Sequence, residues 1–300
     1  MCIEPRIIVQ ESEKMKVIDV QTQMTTKTGA LWPIEMKEFF ETTFKAKIPY
    51  YQSEEEMAGV FREADAMVIV FPPTADKKDI GEIRSLNDYV AQLRKDYPDA
   101  IYSSWVCLDP QLGLTKCLHE LERCIKDLGT AGFYYNGFMT GIPANDKYLY
   151  AFWDLCQEAK APVKISVGHT AAGAGTPGGG GIHLLRTENP VCIDDVAADF
   201  PNLTIIATHC PWPFHNEMIS VMLHKANVYN DLHGWSPKYF PPEIKKEIHG
   251  RLKNKFLFGS DYPFFSFQRL YQDWEAEGYK PEVLEKVYYQ NAQKIFECKG

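Results

Sequence analysis

Polar residues suited to acid–base chemistry stand at the ends of several short apolar runs in this sequence. Two histidines and two aspartates do so: His209, Asp231, His233 and Asp261. A histidine held near a carboxylate can take a proton from water or from a substrate and return it later in the reaction. If the apolar runs are parallel strands, their carboxyl ends meet at one face of the fold and these side chains converge. The pattern therefore predicts an enzyme site.

Other residues join this predicted site because side chains alternate between the two faces of a strand. Counting back from the strand ends adds Asp19, Gln21, Gln23, Ser103, Trp105, Tyr134, Asn136, Lys164 and Ser166. His169, a mouth residue by position, and Trp212 complete the candidates. The aromatic rings among them could stack on a flat substrate or pack in the core, and the histidines His169 and His233 could be structural.

The elements that position these residues follow from hydrophobic periodicity. Short runs rich in β-branched residues predict buried strands, and apolar residues three or four apart predict helices. The predicted strands are Val17–Thr22, Ala66–Phe71, Ile101–Leu108, Gly132–Asn136, Val163–Val167, Thr204–Thr208, Val228–Leu232 and Phe256–Gly259. The predicted helices are Pro33–Phe44, Glu54–Arg62, Ile83–Lys95, Leu112–Leu128, Asp146–Ala159, Cys192–Phe200, Glu217–Lys225, Glu243–Arg251, Gln268–Glu277 and Pro281–Phe296.

Strands that alternate with helices predict an α/β fold, a (β/α)8 TIM barrel. Parallel strands need helical crossovers, and eight of them close a barrel of ~250 residues. The 300 residues of the chain are therefore predicted to form one barrel domain, 1–300. An open doubly wound sheet would carry a glycine-rich phosphate turn after the first strand, and none is present at residues 19–23.

A glycine-rich segment, residues 171–181, follows the fifth predicted strand. It contains too much glycine for a regular helix or strand. Because barrel enzymes build their sites from the loops at the carboxyl ends of the strands, we expect a mobile loop over the barrel mouth. The alternative is a long connection without a function.

Composition narrows the class of partner. The net charge is −8 and the acidic residues are scattered, which argues against nucleic acid and anionic membranes, since both bind clustered Lys and Arg. No run approaches the ~20 apolar residues of a membrane span, and no signal-peptide pattern is present. The eight cysteines form no CxxC pair, which favours reduced thiols, with Cys210 expected to be buried and inert. We therefore expect a cytoplasmic protein with a small-molecule substrate.

Five motifs in order over nearly the full chain resemble amidohydrolase-related enzymes. This group contains aminocarboxymuconate-semialdehyde decarboxylase, γ-resorcylate decarboxylase and their hydrolase relatives. The motifs are VIDVQTQ at 17–23, APVKISVG at 161–168, IATH at 206–209, LFGSDYP at 257–263 and NAQKIF at 291–296. The stretches 168–201 and 234–241 resemble a subgroup described as 4-hydroxyphenyl-β-ketoacyl-CoA hydrolases. The resemblance implies C–C or C–O bond cleavage in aromatic-compound breakdown and a tendency to form homodimers.

The chain departs from this family at the family's metal ligands. The family has a His-x-His pair at the end of the first strand and a histidine at the end of the fifth, where this chain has Gln21, Gln23 and Ser166. Amide and hydroxyl oxygens bind zinc or manganese more weakly than imidazole does. We therefore expect no tightly bound metal. The resemblance implies that His209 and Asp261, which are retained, carry proton transfer and water activation.

Lys164 is a candidate replacement for the charge of the metal. It precedes Ser166 by two residues and is predicted to point into the barrel near Asp19 and Asp261. A buried ammonium there would supply positive charge without a cation. The alternative is that Lys164 faces the helical layer or merely pairs with a structural aspartate.

Three hypotheses about function follow. In the first, a hydrolase cleaves a small activated carbonyl compound, such as a cyclic β-diketone, a β-ketoacyl compound or a lactone. Its water is activated by Asp261 and His209, while Gln21, Gln23, Ser166 and Lys164 donate to the oxyanion. The second is a decarboxylase or hydrolase of an aromatic-derived carboxylate that holds divalent zinc or manganese through Asp261, His209 and the glutamine oxygens. The third is a non-catalytic ligand-binding barrel. The proposed substrate-binding residues are Gln21, Gln23, Ser166, Tyr134, Asn136, His169, Trp212 and His233.

Overall fold

The computed structural model describes residues 16–26, 37–44, 47–72 and 79–297. Within them, eight parallel strands pair in chain order. They are β1 Val17–Thr22, β2 Ala66–Val70, β3 Ile101–Cys107, β4 Gly132–Tyr135, β5 Val163–Ser166, β6 Ile205–Thr208, β7 Val228–Asp231 and β8 Phe256–Leu257. The predicted TIM barrel is confirmed. Six predicted strands end one or two residues earlier than expected, because the chain leaves the ladder there to form the loops of the mouth.

Backbone hydrogen bonds between the first and last strands bring the sheet round into a barrel. The Val20 amide donates to the Phe258 carbonyl at 3.0 Å, and the Asp261 amide donates to the Gln21 carbonyl at 2.9 Å. Thr22 also forms a parallel bridge with Tyr262. The segment after β8 is therefore fixed against the end of β1, where several predicted site residues lie.

Helices follow the strands as predicted, with some divided into shorter pieces. The helices of the described residues are α1 Lys37–Phe44, α2 Glu54–Glu63, α3 Ile80–Asp96, α4 Leu114–Arg123, α5 Gly137–Thr140, α6 Tyr150–Glu158, α7 Leu184–Thr187, α8 Val191–Asp199, α9 His215–His224, α10 Pro242–His249, α11 Phe267–Ala276, α12 Pro281–Glu285 and α13 Asn291–Phe296. A π-helical turn, Cys124–Leu128, follows α4, and another, Lys286–Gln290, joins α12 to α13. Residues 33–36 of the first predicted helix lie outside the described residues. Among those described, no helix combines the length and apolar character needed to cross a lipid bilayer.

Two apolar clusters show which side chains of each strand face the barrel interior. The interior cluster includes Ile18, Val20, Ile69, Trp105, Tyr134, Ile206 and Leu257. The cluster between strands and helices includes Val17, Val68, Phe133, Val163, Ile165, Ile205 and Phe256. Since Val163 and Ile165 both face the helices, Lys164 between them points into the barrel. The interpretation in which Lys164 faces the helical layer is wrong.

Candidate functional site

The carboxyl ends of the strands open into one cavity of about 990 Å³. Its polar lining consists of Gln21, Gln23, Asp109, Tyr134, Asn136, Thr140, His169, Thr170, His209, His233 and Asp261. Its apolar lining includes Phe71, Cys107, Leu108, Phe138, Met139, Ile182, Trp235, Phe264 and Phe265. Most of the predicted site residues are therefore brought together, at the end of the barrel where such folds place their sites.

Lys164 lies beneath this cavity rather than in its lining. It is fully buried, and its ammonium contacts the Val20 carbonyl at 3.1 Å, Gln21 Oε1 at 2.8 Å and Asp231 Oδ2 at 2.8 Å. The contacts with Val20 and Gln21 are hydrogen bonds, and the contact with Asp231 is an ion pair. Since Lys164 does not line the cavity, it acts on the site through these three partners. Its direct acidic partner is Asp231, and the charges of Asp19 and Asp261 also act on it.

The rings of two aromatic residues also face the ammonium. Its nitrogen is 4.7 Å from the ring centre of Tyr134 and 5.2 Å from that of Trp105, whose Nε1 donates to the Val20 carbonyl at 2.9 Å. Burial lowers the pKa of Lys164, and the charge of Asp231 opposes that effect. The Trp105 ring therefore packs against Lys164 in the barrel interior and does not line the cavity.

Asp231 joins Lys164 to His233. Its Oδ1 accepts from the His233 amide at 3.2 Å and contacts Nδ1 of the same residue, while Oδ2 faces the ammonium. Burial by itself raises the pKa of Asp231, but the charges of His233 and Lys164 outweigh it and hold that pKa below its ordinary value. Asp231 is therefore a buried carboxylate shared by a lysine and a histidine. The sequence placed Asp231 at the mouth but gave no sign of these two partners.

His209 and Asp261 lie next to His233 on the cavity wall. The His209 ring centre is 4.2 Å from that of His233, and its Nδ1 faces Thr208 Oγ1 at 3.2 Å. Burial holds the pKa of His209 well below its ordinary value. Burial raises the pKa of Asp261, whose Oδ1 accepts from Gln23 Nε2 at 3.1 Å.

The backbone conformations of His209 and Asp261 are left-handed, with φ of +67° and +55°. Left-handed backbone is uncommon for residues other than glycine. Gly234 packs behind both residues, since a Cβ added to it would lie 3.4 Å from His209 Cδ2 and 3.5 Å from Asp261 Oδ2. The two side chains therefore lie side by side at the end of the cavity.

The amide of Gln21 has a fixed orientation. An ammonium can only donate, so the atom 2.8 Å from Lys164 Nζ must be the amide oxygen. The Gln21 NH2 group is then the part available to a ligand, and Gln21 lines the cavity. Gly259 makes room for this packing, because a Cβ there would lie 2.7 Å from His233 Cβ and 3.3 Å from Gln21 Cβ.

Ser166 is buried, but it does not line the cavity as predicted. Its Oγ accepts from the Gly137 amide at 3.2 Å and lies beside the carboxyl of Glu188. Burial raises the pKa of Glu188 to about 7. Glu188 is not among the predicted site residues, because a single acid after a glycine-rich loop carries no periodic signal. Ser166 is directed towards Glu188 because α5 covers the end of β5.

The predictions that Asp19 and Ser103 belong to the site are also corrected, because neither side chain lines the cavity. Asp19 lies between the inward residues Ile18 and Val20, so its side chain faces away from the interior, where it accepts from the Ser260 and Gln21 amides and from Thr22 Oγ1. Burial raises its pKa to about 6. Ser103 Oγ donates to the Gly129 carbonyl at 3.4 Å, in the loop that enters β4, which is at the opposite end of the barrel.

Trp212 and His169 border the mouth differently. His169 lines the cavity, and its ring meets that of Trp212 edge to face at 5.7 Å. Trp212 is 45% exposed and lies outside the lining. Cys210, the neighbour of His209, is fully buried, and burial raises its pKa to about 12, which fits an inert thiol.

These residues do not fit a divalent cation. The oxygen of Gln21 accepts from the lysine ammonium, and Asp231 is occupied by Lys164 and His233. In the part of the chain that the structure describes, no group of three or more His, Cys, Asp or Glu side chains is arranged to hold a metal ion.

Comparison with known proteins gives one family match and one curated relative. The family profile described as Amidohydrolase matches residues 31–298. The curated 2-keto-4-carboxy-3-hexenedioate hydratase of Sphingobium sp. (strain NBRC 103272 / SYK-6) is 24% identical over 173 residues, which are 50% of this chain. The match spans about half, 49%, of that hydratase.

Solved structures share the fold over nearly the whole chain. An uncharacterized TIM-barrel protein from Bordetella bronchiseptica is 21% identical with a TM-score of 0.72, covering 95% of this chain and 100% of that one. A dihydroxybenzoic acid decarboxylase from Polaromonas sp. JS666, with bound manganese and the inhibitor 2-nitroresorcinol, is 16% identical with a TM-score of 0.68. That match covers 95% of this chain and 98% of the decarboxylase.

Proposed function

Because the profile covers most of the sequence, the chain belongs to the amidohydrolase family, and from this premise we propose that it adds water to a small activated carbonyl compound. The substrate classes are a cyclic β-diketone, a β-ketoacyl compound and a lactone, so that the reaction is the hydrolysis of a C–C or a C–O bond. The similarity to a dihydroxybenzoic acid decarboxylase supports a role in aromatic-compound breakdown.

The observation that carries the proposal is the chemistry of the cavity lining. Asp261 and two imidazoles face one end of it, and the NH2 group of Gln21 faces the same space. In the described residues the lining contains no lysine or arginine. Such a lining binds a neutral carbonyl group more readily than a carboxylate, which calls for a paired cation.

The proposed chemistry uses three groups. Water donates one hydrogen bond to Asp261, which Gln23 orients through its amide. A neutral imidazole takes the other proton as the water oxygen bonds to the carbonyl carbon, and His209 and His233 both qualify by position. The NH2 group of Gln21 donates to the developing oxyanion, a contribution of about 3 kcal/mol in sites of this kind. Neutral donors of this strength suit substrates whose carbonyl carbon is already electron-poor.

We propose that the remaining lining residues select the substrate. Tyr134, Asn136 and His169 would hold its polar groups, and Phe71 and Trp235 would pack on its apolar part. The loop at 171–181 would close over the bound substrate, since residues 171–173 and 180–181 line the cavity. Ser166 and Trp212 are left out of this set because neither lines it.

A lyase is the second candidate, favoured by the comparisons. The curated relative is a hydratase, and the manganese-containing neighbour is a decarboxylase. In this case water addition to a C=C bond, or loss of CO2, would need a cation that the described residues of this chain are not arranged to hold. A non-catalytic barrel is the third candidate, and the facing Asp261 and His209 argue against it.

The two catalytic candidates differ in the fate of water and in their need for metal. Purified protein is incubated in H2¹⁸O with cyclohexane-1,3-dione, acetoacetyl-CoA, dihydrocoumarin, 2,6-dihydroxybenzoate and 4-oxalomesaconate, each with EDTA or with Mn²⁺. Hydrolysis of one of the first three, with one ¹⁸O in the acid product and no effect of EDTA, supports the proposal. CO2 release or alkene hydration that EDTA abolishes and Mn²⁺ restores supports the lyase.

The rates of Asp261→Asn and Asp127→Asn are compared in the same assay. Asp127 is an exposed aspartate far from the cavity, so its substitution is the control.

A further inference from the structure

Two histidines face the same end of the cavity, but their ring nitrogens have different partners. Nδ1 of His233 faces the Oδ1 atom of Asp231, a carboxylate that is 0% exposed. Among the described residues, the hydrogen-bond partner of His209 Nδ1 is the hydroxyl of Thr208, at 3.2 Å. A hydroxyl can donate or accept, so it leaves the tautomer of His209 open, whereas a carboxylate can only accept.

We infer that His233, held by Asp231, is the base that takes the proton from water, and that Lys164 is the positioning residue for this pair. The inference deepens the proposed function and rests on it. It assigns to His209 the part of a neighbouring residue and to His233 the proton transfer that the family resemblance implied for His209.

The contacts of Asp231 determine which nitrogen of His233 carries the proton. The carboxylate accepts from the Nδ1–H group, so Nε2 keeps its lone pair on the side of the ring away from Asp231. His233 lines the cavity, and the inference puts the reacting water next to this lone pair. When Nε2 accepts a proton, the imidazolium is stabilised by the carboxylate that it already contacts.

Lys164 fixes both sides of the site at once. Its ammonium holds Asp231 Oδ2 at 2.8 Å, which turns Oδ1 towards His233, and it holds Gln21 Oε1 at 2.8 Å, which turns the NH2 group of Gln21 outward. The charged or titratable groups that face His233 are Asp231, His209, Asp261 and, through Asp231, Lys164. One buried cation thus orients the base and the oxyanion donor together.

The proton step balances without any further reactant. As the water oxygen bonds to the carbonyl carbon, its proton moves to Nε2 of His233 and the carbonyl electron pair moves to the oxygen that Gln21 faces. As the C–C or C–O bond breaks, that electron pair returns, and His233 gives the same proton to the leaving carbon or oxygen. Asp261 accepts a hydrogen bond from the second O–H group of the water and exchanges no proton in this step.

Nuclear magnetic resonance tests the inference without a substrate. Two-bond ¹H–¹⁵N spectra of protein labelled at histidine report which ring nitrogen carries the proton. We expect a proton on Nδ1 and none on Nε2 of His233 near pH 7.5, with this preference weakened in Asp231→Asn and unchanged in Thr208→Val, the matched change beside His209. Wild-type His233 protonated on Nε2 alone would overturn the inference, whatever the substrate is.

Kinetics on a substrate that the panel identifies gives the second measurement. His233→Asn is expected to lower kcat about 100-fold or more, the usual size of an acid–base contribution, while KM changes little. Added imidazole is expected to restore part of the rate of His233→Ala. His119→Asn, an exposed histidine on α4, is the control. A smaller loss in His233→Asn than in His209→Asn would contradict the assignment. A panel without activity would count against the proposed function, and the spectra would still decide the protonation of His233.

Discussion

Replacing Lys164 by methionine isolates the buried charge at the centre of the site. Methionine keeps most of the side-chain volume but removes the ammonium that faces Asp231, Gln21 and the Val20 carbonyl. Breaking a buried ion pair by removing one partner costs about 3–5 kcal/mol, and an orphaned amide oxygen adds about 1 kcal/mol. Because both partners are 0% exposed, solvent screening does not reduce these values. We expect Lys164→Met to lower the free energy of unfolding by about 4–6 kcal/mol.

The loss should depend on pH in a definite direction. In the wild type, the pKa of Asp231 lies below its ordinary value, so its ionisation stabilises the fold at neutral pH and this stabilisation is lost as pH falls through the folded pKa. Without the ammonium, burial favours the protonated acid, which needs no cation. The difference in unfolding free energy between Lys164→Met and the wild type should therefore shrink between pH 7 and pH 4.5.

Urea unfolding at several pH values measures this difference. Lys126→Met removes an ammonium of the same type from an exposed pair with Glu122 and is expected to cost less than about 1 kcal/mol. Combining Lys164→Met with Asp231→Asn should recover part of the loss, with a coupling of about 2 kcal/mol or more. A loss below about 1 kcal/mol, or one that does not change with pH, would refute the reasoning.

Three further predictions concern single positions. Asp261→Asn is expected to lower kcat on an identified substrate by about 100-fold or more while the circular dichroism spectrum stays unchanged, and steady-state kinetics checks it. Gly259→Ala places a Cβ 2.7 Å from His233 Cβ, so it should lower the free energy of unfolding by about 1–3 kcal/mol and also lower kcat. Gly59→Ala, with no atom within 4 Å of the new Cβ, should change neither quantity. Burial raises the pKa of Glu188 to about 7, so its ionisation destabilises the fold, and the free energy of unfolding of the wild type should fall by up to about 3 kcal/mol as pH rises from 4.5 to 8. Thermal unfolding of Glu188→Gln should not show this fall.

Local periodicity predicted the barrel and the inward direction of Lys164. The same rule failed at Asp19, since the pairing of β1 with β2 shifts register between Asp19 and Thr22. Consecutive residues Val20 and Gln21 consequently both face the inside, Val20 in the interior cluster and Gln21 in the cavity lining. A bulge of this kind arises from contacts with neighbouring strands, which a single run of sequence does not encode.

The partners of the site residues were beyond sequence reasoning for a different reason. The pairs Lys164–Asp231 and Ser166–Glu188 join residues on different elements, and no spacing rule connects them. Residue type alone predicted that an inward lysine needs an acid, and it could not choose among several aspartates. Partner choice depends on strand order and on which loops cover each strand end, and both are properties of the finished barrel.

The left-handed backbone conformations of His209 and Asp261 lower the thermal stability of the protein in exchange for the position of the two side chains. A residue with a Cβ pays about 1 kcal/mol or more to hold such a conformation, and glycine would hold it without that cost. Laboratory evolution that selects for thermal stability alone should therefore enrich glycine at positions 209 and 261 and produce more stable barrels that have lost catalytic activity. Screens for more stable variants would therefore need to select for catalytic turnover at the same time.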